Sequence, residues 1–322
     1  MSKIKSVVID HTRPTHLRLG ELDYPQPQPN QALVKVAAFS LNPGELGGAA
    51  RRENGSQIGW DLAGTVVQAA ANGSGPQVGQ RVVGTIVTGG WTNSAPTIGA
   101  WAEVVAVSTA HLAELPANVT ITQAATLPVA GLTALAGLEK NGSLWQKRVL
   151  VTAANGAVGD FGVQIARSAG AFVVGTVRNR ERAAGVRESG AYEVVVGDPA
   201  QARQFGPYDL VLDSLGGPTL AETLDMLSPG GLAVTVGVSG TGQLSFNPVK
   251  MFQAGGVGLY MLALHYEFRY LPVARDLARL AQAVAAGGLK PRIALEESWE
   301  KIEEVVPKVI DRQYNGKVVL HL

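Results

Sequence analysis

Residues 149–182, VLVTAANGAVGDFGVQIARSAGAFVVGTVRNRER, decide the fold of this chain. A β-branched run, Val149–Val151, leads into Ala153-x-x-Gly156-x-x-Gly159. Val158, Phe161, Ile165 and Ala169 follow at the spacing of one helix face, and Gly170 stops the helix. A second apolar run, Phe172–Val174, comes next, and then three arginines. Strand, glycine turn, helix and strand make the βαβ unit that holds a dinucleotide. Small residues let the backbone approach a pyrophosphate, and the N–H groups and positive dipole end of the helix bind it. Glycine spacing alone is weak evidence; the flanking strand, helix and strand give it weight.

The end of the second strand indicates which dinucleotide. An NAD site places an Asp or Glu about 20 residues past the glycines, where it accepts a hydrogen bond from the ribose 2′-hydroxyl. Here the segment reads Gly175-Thr176-Val177-Arg178-Asn179-Arg180-Glu181-Arg182, with no carboxylate at the strand tip. A carboxylate repels a 2′-phosphate, whereas guanidinium groups bind one in fork geometry. Thr176, Arg178 and Arg182 are therefore candidate cofactor contacts, and NADPH is the expected cofactor. The alternative reading of the same residues is a solvated, arginine-rich helix start with Glu181 paired to one of the arginines.

A chain of 322 residues suffices for two domains. Its net charge of +1 and the lack of a basic stripe beyond Arg178–Arg182 argue against nucleic acid as a partner. The most apolar stretches, Leu127–Leu138 and Val257–Leu264, are too short to span a membrane. Before Asp10-His11 the only apolar run is Val7-Val8-Ile9, so no signal peptide is read and a cytoplasmic protein is expected. The chain has no cysteine, which excludes disulfides, a catalytic thiol and thiolate metal sites. Its five histidines are scattered without ligand spacing, and His265, after an apolar run, is read as structural.

Three parts follow from the pattern. Residues 1–120 are Gly/Pro-punctuated and β-rich, with short strands at Ala32–Ala37, Leu62–Val67, Arg81–Val87 and Ala102–Val107. Residues 121–263 alternate strands and helices. Val149–Val151, Phe172–Val174, Glu193–Val196, Leu210–Leu212 and Leu232–Val236 are unalternating runs suited to a parallel sheet buried on both faces. The turn Ser228-Pro229-Gly230-Gly231 is expected to reset the chain before the fifth of them. Residues 264–322 carry two amphipathic helices, one through Leu277, Leu280, Ala281 and Val284, the other through Ile302, Val305, Val306 and Val309 with Pro307 set to kink it. A closing strand, Lys317–Leu322, ends the chain. The expected class is α/β: a doubly wound parallel-sheet (Rossmann) domain plus a compact β-rich domain.

A nucleotide fold that begins near residue 121 behind a β-rich part resembles the medium-chain dehydrogenase/reductase superfamily, and within it the zinc-independent quinone oxidoreductase branch. The landmarks run in the family's order: Leu41-Asn42-Pro43, Gly59-Trp60-Asp61-Leu62-Ala63-Gly64, Val78-Gly79-Gln80-Arg81-Val82, Gly99-Ala100-Trp101-Ala102-Glu103 and Ala124–Ala134. Then come Ala153–Gly159, Leu212-Asp213-Ser214-Leu215-Gly216-Gly217, Gly230-Gly231 and Asn315-Gly316-Lys317-Val318-Val319. The resemblance implies a GroES-like N-terminal domain that the C-terminal segment completes. It also implies that Asn42 sits by the nicotinamide and that Thr133 binds the reactive end of the cofactor. Gly156, Ala157 and Val158 then form the pyrophosphate loop, Ser214 and Gly237-Val238-Ser239 lie at the ribose side, and Asn315 reaches back to the cofactor.

The departures matter too. Zinc-dependent alcohol dehydrogenases of this fold need Cys/His ligands, which this chain lacks. Some relatives carry a Tyr just after the Asn-Pro pair, but here the segment is Gly44-Glu45-Leu46-Gly47-Gly48, so no proton donor is assigned. Asp61 is read as a buried turn or supporting residue. The reading is an NADPH-dependent, zinc-free reductase passing hydride to a small-molecule quinone or the C=C bond of an α,β-unsaturated carbonyl, with the Asn42 amide steadying the developing oxyanion. The alternatives are an enoyl reductase acting on an acyl thioester or polyketide intermediate, and a nucleotide-binding structural or regulatory protein without turnover. A short-chain dehydrogenase is excluded, because none of the seven tyrosines has a Lys four residues later. The apolar run Gly255–Leu264, expected at the sheet's edge, points to a homodimer.

Overall fold

The computed structural model describes residues 2–86, 98–237 and 243–322. Val87, at the end of one expected strand, and the expected cofactor contacts Val238 and Ser239 lie outside the described residues. Two compact units form. One is Met1–Leu132 with Leu264–Gly287 and Pro291–Leu322; the other is Thr133–Ala263 with Gly288–Lys290.

In the first unit, β1 (Lys3–Ile9) and β2 (Leu17–Asp23) make an antiparallel hairpin. The spine is β3 (Gln31–Ser40), whose Leu33, Val34, Val36, Ala38 and Phe39 are all buried. After it come α1 (Pro43–Gly48), β4 (Asp61–Gln68), β5 (Arg81–Thr85), β6 (Val104–Ser108) and β7 (Leu112–Glu114). β3 pairs antiparallel with both β4 and β6, and β4 leads through β5 to β7. The short α2 (Ile121–Ala125) is capped by Thr120, whose hydroxyl accepts from the Gln123 N–H. α3 (Pro128–Glu139) then carries the chain from one unit to the other.

Two of the sequence landmarks meet in this unit's core. Trp101 is fully buried and stacks on Phe39 with ring centroids 4.9 Å apart. Gly59, at φ +112°, passes directly against that indole: a Cβ there stands 2.3 Å from Trp101 Cδ1. Only glycine combines that backbone conformation with that approach.

The second unit is a six-stranded parallel sheet. Its elements are β8 (Arg148–Val151), α4 (Ala157–Ser168), β9 (Phe172–Val177), α5 (Ala183–Glu188), β10 (Glu193–Val196) and β11 (Tyr208–Asp213). They continue with α6 (Gly217–Leu224), β12 (Leu227–Thr235), α7 (Pro248–Ala254) and β13 (Gly258–Met261). The strand order is β10-β9-β8-β11-β12-β13, so the order reverses between β8 and β11. That reversal opens the crevice where doubly wound sheets take their ligands.

Two local expectations change. The buried face of α4 is Gly159, Gly162, Val163 and Ala166, with Phe161 beside them, whereas Val158 and Ile165 are half-buried and Ala169 is exposed. Asp160 and Gln164 are buried too, and the helix comes so close to the sheet at Gly162 that a Cβ there would stand 2.6 Å from Leu212 Cδ2. Ser228-Pro229-Gly230-Gly231 does not separate a helix from a strand either. It is a bulge inside β12, taken up where the register shifts between Tyr208↔Leu227 and Leu210↔Leu232.

The chain returns to the first unit through α8 (Leu264–Glu267), α9 (Val273–Ala285), β14 (Ile293–Ser298), α10 (Ile302–Ile310) and β15 (Lys317–His321). β15 lies between β14 and β3, parallel to the first and antiparallel to the second. α9 buries Leu277, Leu280, Ala281 and Val284, and α10 buries Ile302, Val305, Val306 and Val309 with Pro307 inside it. Among the described residues no helix is long and apolar enough to cross a membrane.

Gly59→Ala is expected to cost about 3 kcal/mol or more, from combined backbone strain and overpacking against Trp101. Denaturant unfolding measures it, and a loss under about 1 kcal/mol would show that the core yields there.

Candidate active site

The edge of the second unit at the strand-order reversal starts from a strained turn. Ala153 ends the approach from β8 at φ +46°, and its carbonyl accepts the Gly156 N–H at 2.8 Å. The Ala154 N–H donates to the Thr176 carbonyl at 2.9 Å, which ties the loop to β9. Gly156 is the N-cap of α4, and Gly159 packs so closely that a Cβ there lies 2.4 Å from the Ala153 oxygen. The first-turn N–H groups of α4, Ala157 and Val158 among them, have no acceptor within the helix and form an anion cradle.

A buried carboxylate holds the neighbouring strand ends together. Asp213, fully buried at the end of β11, accepts from Thr152 Oγ1 at 2.7 Å, from the Gly216 N–H at 2.7 Å and from Thr235 Oγ1 at 3.1 Å. The Ser214 N–H in turn donates to Thr152 Oγ1 at 3.0 Å. The carbonyl of Gly237, one residue beyond Val236, also lies 3.1 Å from Thr235 Oγ1 and shares its single hydroxyl hydrogen with Asp213. Three adjacent strands of the parallel sheet thus end at one fixed level. Ser214 and Gly237 belong to that level, beside the point where strand order reverses.

β9 ends in Thr176, buried, and Val177; Arg178, Asn179 and Arg180 are exposed and Arg182 half-buried around a short 3₁₀ turn, Arg180–Arg182. No acidic residue stands between Thr176 and Arg180. Thr133 is buried on α3 in this same unit. The structure therefore groups Thr133, Gly156, Ala157, Val158, Thr176, Arg178, Arg182, Ser214 and Gly237 in the second unit, while Asn42 and Asn315 belong to the first.

In the first unit, Asn42 is the N-cap of α1, with Pro43 opening the helix and Glu45 at its third position. Glu45 Oε1 accepts the Asn42 backbone N–H at 2.7 Å and its Nδ2 at 3.1 Å. Asn42 Nδ2 also donates to Asp61 Oδ2 at 2.8 Å, and Asn42 Oδ1 accepts from Lys317 Nζ at 2.6 Å. Both amide hydrogens of Asn42 are thereby committed. The expected donation from this amide to a developing oxyanion finds no hydrogen left to give.

Asp61 is fully buried. Oδ2 accepts from Ser40 Oγ at 2.6 Å and from Lys317 Nζ at 3.3 Å, and Oδ1 accepts the Val129 N–H at 2.9 Å. Lys317 is also buried and donates its third hydrogen to the Leu41 carbonyl at 3.3 Å. Desolvation, reinforced by the nearby Asp61, pushes the Glu45 carboxyl well above its usual range, against the opposing pull of Lys317 and the Asn42 hydrogen bonds. Sequence reasoning singles out neither Lys317 nor Glu45. Lys317 belongs to a landmark read for Asn315, and Glu45 to a segment read for its lack of a Tyr. The available signal is charge and position: a Lys opening an otherwise apolar closing strand, and a Glu three residues past an N-cap.

A parallel sheet with a glycine turn at its strand-order reversal is the arrangement in which doubly wound folds bind a nucleotide. Residues 28–117 match the alcohol dehydrogenase GroES-like domain family and residues 157–271 the zinc-binding dehydrogenase family. The chain is 29% identical to the mitochondrial NAD(P)H oxidoreductase RTN4IP1 of Danio rerio, over 91% of this chain and 84% of that protein. It is 28% identical to the chloroplast envelope quinone oxidoreductase homolog of Arabidopsis thaliana, over 93% and 92%. The solved structure of mycobacterial Rv1454c complexed with NADPH superposes with a TM-score of 0.84 at 25% identity, over 100% of both chains. The chain belongs to the medium-chain dehydrogenase/reductase superfamily and is an oxidoreductase of that type. The zinc of the second family's description does not fit this chain, which has no cysteine; among the described residues no three His, Asp or Glu side chains gather as a metal site.

Lys317→Met is expected to destabilise the protein by about 3–5 kcal/mol, because Asp61 is left as an uncompensated buried charge. Denaturant unfolding decides it; a loss under about 1 kcal/mol would mean that the pair is not structurally required.

Proposed function

We propose that this protein is an NADPH-dependent reductase whose substrate is a small quinone or the C=C bond of an α,β-unsaturated carbonyl. The observation that carries the cofactor choice is the tip of β9, where no carboxylate stands from Thr176 to Arg180, and Arg178 and, past Glu181, Arg182 follow. Guanidinium groups there bind a 2′-phosphate that an acidic residue would repel. The first-turn N–H groups at Ala157 and Val158 hold the pyrophosphate, and Ser214 and Gly237 border the ribose. When bound, the reduced nicotinamide supplies a hydride to an electron-poor carbon. Thr133, Asn42 and Asn315 are assigned to positioning its reactive end; with its amide hydrogens committed, Asn42 acts as a rigid contact. The quinone oxidoreductase relative supports the substrate class.

NADPH titration of wild type and Arg178→Ala tests the cofactor. Loss of one charge-assisted phosphate contact is expected to weaken NADPH about ten- to a hundredfold and to leave NADH binding unaltered. Equal wild-type affinity for the two cofactors would overturn the assignment. Turnover is tested by NADPH oxidation against a panel of quinones and enones, and the absence of oxidation with every acceptor would favour a nucleotide-binding protein without turnover.

We further propose a homodimer built on β13, which is an edge strand of the six-stranded sheet. Met261 on that strand is 67% exposed, and Phe252 on the adjoining α7 is 86% exposed. Leu259 packs inward against the unit's own core, so Met261→Glu is the cleaner probe. Light scattering is expected to report twice the 33.6 kDa chain mass, and Met261→Glu to shift it toward monomer. A wild-type monomer at low micromolar concentration would refute the dimer.

A further inference from the structure

We propose that Glu45 is a positioning residue that works as a neutral acid, keeping a proton on Oε2 while Oε1 holds Asn42 in place. The hydrogen-bond inventory of the cluster leads there. Lys317 has three hydrogens to give, and they go to Asn42 Oδ1, Asp61 Oδ2 and the Leu41 carbonyl, so none remains for Glu45. Asp61 receives four donors: Ser40, Asn42, Lys317 and the Val129 N–H. Glu45 receives two, both on Oε1 and both from Asn42, while Oε2 is buried with no partner among the described residues. Two carboxyl groups share one buried cation, Lys317, with half-buried Arg52 also facing Glu45. The better-solvated carboxylate is Asp61, and the proton belongs on the oxygen that nothing solvates.

The charged groups facing Glu45 are Asp61 on β4, Lys317 on β15 and Arg52, just past α1, whose Nη1 donates to the Gln57 carbonyl at 3.2 Å. Burial and Asp61 raise the Glu45 carboxyl, and Lys317 opposes them. A folded value raised above the unfolded one, about 4.3, contributes stability that is complete in acid. That contribution is lost as pH rises from the unfolded value through the folded one. Ionisation of Glu45 puts a second negative charge beside Asp61; the Asn42 N–H bonds to Oε1 tighten, but the two carboxylates repel each other and disturb the packing that holds Asn42 in place.

This inference rests, for its kinetic consequence only, on the reading of the chain as a nicotinamide-dependent reductase with Asn42 at the reactive end. Glu45→Gln and Glu45→Ala test it. Glutamine has the shape of the protonated acid, with an oxygen for Asn42 and an N–H₂ where the hydroxyl was. The infrared carbonyl band of a protonated carboxyl is expected in wild type at neutral pH and absent in Glu45→Gln. The loss of unfolding stability with rising pH is expected to flatten in the same variant. In turnover, Glu45→Ala is expected to lower kcat about tenfold or more, and Glu45→Gln to restore most of it while removing the alkaline fall of the wild-type profile. A Glu45→Gln protein that fails to fold, or that behaves as Glu45→Ala, would show that the negative charge itself is needed, and so overturns the proposal. So would an infrared spectrum that is the same in wild type and Glu45→Gln. If wild type turns over no acceptor, the reductase reading fails alone, and the infrared and unfolding results still decide the state of Glu45.

Discussion

A lysine taken out of water must place every hydrogen it has, and Lys317 places two of them on residues 275 and 276 positions earlier in the chain. That obligation fixes much of the first unit. β15 has to lie beside β3 for Lys317 to reach Leu41 and Asn42, and β4 has to bring Asp61 to the same point. The hydrophobic core supplies the gross attraction, but apolar contacts are nondirectional and tolerate a slipped strand. The buried ammonium does not tolerate it. A slip of one residue in β15 would turn Lys317 to the other face and leave Asp61 charged and alone.

The second unit solves a related problem with a single carboxylate and no cation. Asp213 is satisfied by two threonine hydroxyls and a backbone N–H, drawn from the ends of β8 and β12 and from the turn before α6. Strand ends in a parallel sheet otherwise finish on unpaired groups, and here they are bound into one level surface. The loop from Ala153 to Gly159 is fastened separately to β9 through the Thr176 carbonyl. A dinucleotide laid across this edge therefore meets a surface that is already set, which reduces the ordering cost of binding.

Much of this is legible in the sequence, for reasons that differ by element. β8, β9 and β11 are buried on both faces, so they appear as uninterrupted apolar runs. α9 and α10 bury one stripe each and show the helical period directly. α4 misleads because its buried residues include Gly159, Gly162 and Ala166 and the polar Asp160 and Gln164, which carry little hydrophobic signal. β12 misleads because a bulge with Pro229 and Gly230 has the composition of a turn. At the site, the glycine loop and the arginines stand on contiguous sequence and can be found there. The Asn42 cluster draws on residues 40, 42, 45, 61 and 317, and no local pattern marks side chains that meet only through tertiary pairing.

The two edges of the six-stranded sheet are not equivalent, and the difference lies in what covers them. Across the starts of β8, β9 and β10, Tyr192 stacks on Phe172 with ring centroids 4.9 Å apart; Arg167 lies over the tyrosine ring at 4.3 Å and Arg148 over the phenylalanine ring at 5.0 Å. What packs beside β10 itself is the chain's own 3₁₀ segment Pro199–Phe205, whose Ala202 is buried in the core of the sheet, and such cover discourages strand addition. Beside β13 the cover is thinner. Lys140 reaches the Tyr260 ring at 4.3 Å, but Met261 stays open to solvent and Phe252 projects from the neighbouring helix. Apolar side chains beside unpaired backbone groups are what a second strand needs in order to add, and at β13 exposed Met261 supplies them.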